Sequence, residues 1–143
     1  MENYTKLDIL LEGLPNPSAE KALVSELKNI DDSHSLNWAF NKMKEVKDRE
    51  RITLVKILSK SLKQKNSLIS LLQHGIEMEL VSEIKGWVRY LLPKLGTRKI
   101  LHILKGYRDE KEKHDIVFYH LKAHLKIGDS KDMQLIESYE KNQ

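Results

Sequence analysis

The chain has 143 residues, 40% of them hydrophobic, a net charge of +4 and no cysteine. That is one domain's length, able to bury about 68 to 70% of the surface its unfolded form would expose. Without cysteine there is no disulfide framework, no thiolate metal site and no cysteine nucleophile. The N-terminus MENYTKLDILLEGLP lacks the basic lead and apolar core of a secretory signal, so a cytoplasmic protein is expected.

No apolar run approaches the length of a membrane span, so no membrane partner is expected. Six glycines and three prolines are few, Leu, Lys, Glu and Ile dominate, and alternating β patterns are nowhere sustained. The expectation is a single all-α domain over residues 1–143.

In chain order, Leu7, Ile9, Leu10 and Leu11 mark a first helix over Thr5 to Leu11, closed by Gly13 and Pro15. Pro17-Ser18 restarts the chain, and Leu23 and Leu27 carry a second helix ending near Asp31-Asp32. Ser33 or Ser35 is a cap for a third, with Leu36, Ala39, Phe40 and Met43 on one face and Trp38 beside it. A fourth runs from the cap candidate Asp48 to about Lys63, through Ile52, Leu54, Val55, Leu58 and Leu62. A fifth runs from Asn66 or Ser67 to His74-Gly75.

A hairpin over about 77–107 stands at the centre. Leu80, Ile84, Trp87, Val88, Leu91 and Leu95 recur at helical steps. Pro93 is expected to push Leu92 out of helical geometry, Gly96 to act as a joint and Thr97 to cap a second helix with Ile100, Leu101, Ile103, Leu104 and Tyr107 on its apolar face. Asp109 with Glu112 reads as a capping pair for a helix reaching Ile127-Gly128. That helix has two apolar sides, Val117, Phe118, Leu121 and Leu125 on one and Ile116, Tyr119, Ala123 and Ile127 on the other, and is expected to be packed on both. Asp129 or Ser130 caps a last helix through Met133 and Tyr139, with a frayed tail at about 140–143.

Seven or eight short amphipathic helices in antiparallel pairs form either a stack of hairpins or an irregular bundle. Segments beginning at Val55, Leu101 and Met133 repeat an apolar, polar, apolar, apolar, polar, small pattern, and Trp38-Ala39-Phe40 echoes Trp87-Val88-Arg89. On these echoes, over about Ser35 to Tyr139, the chain resembles the HEAT-like α-solenoid families, whose units are helix pairs of roughly 40 residues. The resemblance implies a stacked fold and carries no functional residue across. It departs from those families in its uneven period.

Charge is segregated. Lys42 to Lys65 holds nine basic residues against three acidic, and Lys85 to Arg108 holds seven against none. Arg49, Lys56, Lys60 and Lys63, at spacings of seven, four and three, superimpose into one stripe on a helix that reaches Lys63. Arg89, Lys94, Arg98, Lys99, Lys105 and Arg108 are the candidates in the second segment. If equivalent helices stack, the two sets join in one electropositive face.

Lysines commonly cover helix faces for solubility alone, but a solvating surface usually interleaves the signs, which the span from Lys85 to Arg108 does not. An acidic protein partner is the first expectation and sequence-independent DNA or RNA binding the alternative. A homo-oligomer using the chain's own acidic helices is also open. For nucleic acid, Tyr90 beside Arg89 and Tyr107 beside Arg108 are the aromatics placed to stack.

Catalysis has one constellation to consider, His114-Asp115 with His120 and His124. The dipeptide resembles the motif of the His-Asp metal-dependent phosphohydrolases. In that family an upstream histidine and a downstream aspartate complete the site, whereas here His114 falls on the Phe118 side of its helix and His120 on the Ile116 side. Local hydrogen bonding is the expected role of these histidines. The expectation is a non-catalytic binding module with no cofactor and no metal, and with Trp38 and Trp87 in the core.

Overall fold

The computed structural model describes residues 4–125 and 130–142. Among them are nine α-helices and no strand: α1 (Thr5–Glu12), α2 (Pro17–Lys28), α3 (Asp32–Met43), α4 (Asp48–Ser61), α5 (Lys65–Glu77), α6 (Ile84–Leu95), α7 (Thr97–Lys105), α8 (Lys111–His124) and α9 (Ser130–Lys141). The expected all-helical class is present. The described residues form two compact units, divided within α5 between Leu71 and Leu72.

In the first unit α2 packs on α1 and α4, and α3 packs on α4. Asn16 caps α2, its side chain accepting from the Ser18 amide at 2.8 Å, with Pro17 in the first turn. Leu23, Leu27, Ala39, Met43, Leu54, Val55 and Leu58 are buried, as the helical spacing of apolar residues predicts. Trp38 is core as well, its indole Nε1 donating to Asp8 Oδ1 at 2.9 Å.

The expected serine caps of α3 are corrected. Asp31 occupies the cap position, while Ser35 turns inward and donates to the Leu27 carbonyl at 3.4 Å. At α4 the cap position is the extended Lys47; Asp48 is already helical, and its carboxylate accepts from Arg51 at 3.0 Å. Helix α4 also ends earlier than expected, at Ser61, with Leu62 extended. The reason is Asp32, whose carboxylate accepts from the backbone amides of Lys63 at 3.0 Å and Gln64 at 2.9 Å. Those amides are held away from helical partners.

In the second unit α6 packs on α7 and α8, and α7 packs on α8 and α9. Each helix thus meets its neighbour or next-but-one in sequence, the connectivity of stacked hairpins. Ile84, Trp87, Val88, Leu91 and Leu95 are all buried, which is the expected seam. Gly75 makes room for it: a Cβ there would stand 2.4 Å from Trp87 Cε3.

Pro93 does not end α6. It lies on the exposed side of the last turn, and the helix continues to Leu95. An interior proline costs about 3 kcal/mol when it removes a buried bond and clashes. Here the turn that follows brings Leu95 into the core, which returns about 1.5 to 3 kcal/mol. The true joint is Gly96, at φ 84°, a conformation that favours glycine. Thr97 is the first residue of α7 and makes no capping bond; it is buried instead.

Two further expectations change. Glu110, not Asp109, precedes α8, and its carboxylate takes the Lys113 ammonium at 2.8 Å. Helix α8 is packed on one side only: Val117, Leu121 and Leu125 are buried, whereas Tyr119 is 66% exposed and Ala123 is exposed. Ile127, Gly128 and Asp129, given roles from the sequence, lie outside the described residues. The C-terminal helix runs on to Lys141, and Asn142 Nδ2 donates to the Ser138 carbonyl at 2.9 Å. No helix among the described residues is long and apolar enough to cross a membrane.

Candidate functional site

The two basic segments differ in what their charges do. In the first, Lys56 pairs with Glu20 at 3.0 Å, Lys42 with Asp8 at 3.1 Å and Arg51 with Asp48 at 3.0 Å. Lys63, beyond the end of α4, leaves the stripe and donates its ammonium to the Ile30 carbonyl. Arg49 and Lys60 remain exposed to solvent. Much of this segment's charge therefore holds its own unit together.

In the second segment, Lys85, Arg89, Lys94, Arg98, Lys99, Lys105 and Arg108 make no ion pair with any described residue. Arg89 lies over the ring of Tyr90, 5.5 Å from its centroid. Lys94 is exposed and Lys99 half-buried. Helical spacing puts Arg98, Lys105 and, between them, His102 on one face of α7, and these three with Arg108 form one wall of a groove of about 520 Å³. Ser138, Tyr139 and Asn142 of α9 stand on the other wall, over an apolar floor of Leu101 and Leu135. Among the described residues no carboxylate lines it.

Several contacts fix this geometry. Ile100 and Leu104 bury the far side of α7, so the basic residues at Arg98, His102 and Lys105 point outward. Tyr139 is buried between His114 and Arg108: its hydroxyl bonds His114 Nε2, and the Arg108 guanidinium carbon lies 5.2 Å from its ring centroid. His114 Nδ1 in turn meets Asp115 Oδ1 at 2.8 Å. The histidine thus locks α9 against α8. Asn142 and Ser138 add amide and hydroxyl donors to a rim of cations, a set suited to carboxylate or phosphate oxygens.

Of the residues singled out from the sequence, Arg98, Lys105 and Arg108 line the groove together. The structure does not bring Arg89, Lys94 or Lys99 into the groove, and Arg49, Lys56, Lys60 and Lys63 belong to the first unit. His102 was legible, lying four residues after Arg98 and three before Lys105. Ser138, Tyr139 and Asn142 were not, because the packing of α9 on α7 joins residues about 35 to 40 positions apart.

Other concave sites carry less. A pocket of about 170 Å³ over Ile76, Val81, Ile84 and Ile116 is small, and Glu79, Glu112 and Lys113 line it as well. There Lys113 is paired with Glu110 and with Glu77 at 3.3 Å. The Glu110 hydrogen bond raises the Lys113 pKa despite desolvation, so this ammonium stays charged and engaged.

Three tyrosines bear on nucleic acid. Tyr107 is buried, its hydroxyl pushed up to about 12 by burial and then by its hydrogen bond to Glu77. Tyr90 is half-buried under Arg89, and Tyr139 is buried under Arg108. Tyr107 and Tyr139 thus offer no open ring face for a base, and Arg89 stands against the ring of Tyr90.

Among the described residues no group of three or more His, Asp or Glu side chains is arranged to hold a metal ion. His124 Nδ1 meets the His120 carbonyl at 2.9 Å, and burial with the charge of His124 lowers the His120 pKa. No protein-family model matches the chain, and no curated protein or solved structure matches it significantly.

Proposed function

We propose that this chain is a non-catalytic helical module that binds an acidic segment of another protein in the groove between α7 and α9. The observation that carries the reading is that no described residue lining the groove with Arg98, His102, Lys105 and Arg108 is a carboxylate, while cations of the first basic segment are paired. Charges with no internal partner do no folding work that would explain their clustering. A groove of one sign draws an oppositely charged partner to it and raises its association rate. The guanidinium forks of Arg98 and Arg108 match carboxylate geometry, and Leu101 and Leu135 give apolar anchorage between them.

Sequence-independent binding of nucleic-acid phosphates is the second reading. The run of seven basic residues without an acid favours it. The burial of Tyr107 and Tyr139 beside the groove favours the protein partner instead, since single-strand binding without a stacking platform loses about 1 to 3 kcal/mol per base.

The test is fluorescence anisotropy with a labelled glutamate-rich peptide. Wild-type protein is expected to bind it, Arg98→Glu with Lys105→Glu to abolish binding with thermal stability within about 0.5 kcal/mol of wild type, and Lys60→Glu to leave binding unchanged. Equal loss in the Lys60 variant would move the site out of the groove.

A further inference from the structure

The uncovered side of α8 is the strongest feature that the basic groove leaves unexplained. Tyr119 is the most exposed large hydrophobic residue among those described, at 66%, and Met133 beside it is 37% exposed. With Phe118 and Ala123 they line a second groove, of about 490 Å³, between α8 and α9. Burying a tyrosine removes roughly 150 to 250 Å² from water, so leaving this one outside forgoes a large apolar gain.

The charges at the ends of this groove say what fits it. Asp115 lines one end, held by His114 Nδ1 at 2.8 Å. Lys122 lines the other, its ammonium 5.4 Å from the Phe118 ring centroid and 3.1 Å from Glu140. The two stand seven residues apart, on the same face of α8 as Tyr119. In an antiparallel pairing of two α8 helices centred on Tyr119, residue positions above the centre meet positions equally far below it. Asp115 of one copy then lies against Ala123 and beside Lys122 of the other, and the same contact recurs by symmetry. A patch whose opposite charges are exchanged by a two-fold axis is self-complementary, which an isologous dimer requires.

We infer that this chain self-associates as a two-fold dimer through α8, with Tyr119 of each copy seated in the Phe118–Ala123–Met133 groove of the other. The dimer face is separate from the Arg98–Lys105 wall and does not depend on the acidic-partner reading.

Sedimentation equilibrium of the full chain, without any ligand, tests it. Wild type is expected to show a concentration-dependent monomer–dimer equilibrium. Tyr119→Arg is expected to weaken dimerisation by roughly thirtyfold or more, the effect of losing a central aromatic anchor, with an unchanged melting temperature at dilute concentration. Asp115→Lys is expected to weaken it through facing Lys122, and Asp115→Lys with Lys122→Glu and Glu140→Lys, which keeps the ion pair within each chain, to recover it. A wild-type chain that stays monomeric into the millimolar range overturns the inference, as does a dimer that Tyr119→Arg leaves intact.

Discussion

Arg108 carries its guanidinium over the ring of Tyr139, 5.2 Å from carbon to centroid, and so ties the end of α7 to α9. The same ring hydroxyl bonds the buried His114 of α8. One tyrosine thereby sets the spacing of three helices and forms a wall of the basic groove. Tyr139→Phe keeps the ring and deletes the hydroxyl, leaving the His114 nitrogen without this partner. The expected cost is about 1 to 3 kcal/mol of stability, read by urea denaturation. An unchanged midpoint would mean that the His114 contact does not hold the groove.

The Trp87 seam is the expected heart of the second unit. Trp87→Ala is expected to cost about 3 to 5 kcal/mol, the range for emptying a buried aromatic site. Trp87→Phe should cost less, since the buried Trp87 Nε1 has no hydrogen-bond partner to lose among the described residues. Gly75→Ala would drive a methyl into the indole and is expected to cost about 1 to 3 kcal/mol. Wild-type-like melting in the Trp87→Ala chain would contradict the seam.

Acid sensitivity follows from the first unit. The Trp38 hydrogen bond, aided by Lys42, holds the Asp8 carboxyl below its ordinary range although burial opposes it. At Asp32 burial pushes the carboxyl up, but the Ser67 hydroxyl and the amides of Gln64 and Lys63 outweigh it and leave a net lowering. A carboxyl with a depressed folded pKa adds stability above its unfolded pKa and loses it as pH falls through the folded value. Stability from these groups should therefore hold from pH 7 to about pH 5 and drop as pH falls from there through the lowered folded values, and Asp32→Ala should flatten that drop while lowering stability at pH 7. Parallel pH profiles for wild type and Asp32→Ala would show that Asp32 is not a source.

Legibility tracked whether the information was local. The α6 seam could be read because Ile84, Trp87, Val88, Leu91 and Leu95 share one helical face, and any partner helix would bury that face. The second side of α8 was misread for the same reason: Tyr119 and Ala123 are spaced as a buried face, and periodicity cannot distinguish a covered face from one left open. Lys63 was placed on the α4 stripe because nothing nearby shows that Asp32, some thirty residues earlier, captures its amide. In the groove, Arg98, Lys105 and Arg108 were visible as a run lacking acids. The wall from α9 was not, since no spacing rule links α7 to Tyr139 or Asn142.

The most direct measurement is anisotropy of the wild-type chain against a labelled acidic peptide and against labelled single-stranded and duplex oligonucleotides, across one salt series. The peptide is expected to stay bound at physiological salt through the Leu101 and Leu135 floor, while oligonucleotide binding disappears. Micromolar oligonucleotide affinity at physiological salt, falling with log salt at a slope near −0.9 per phosphate on duplex, together with no peptide binding, would contradict it.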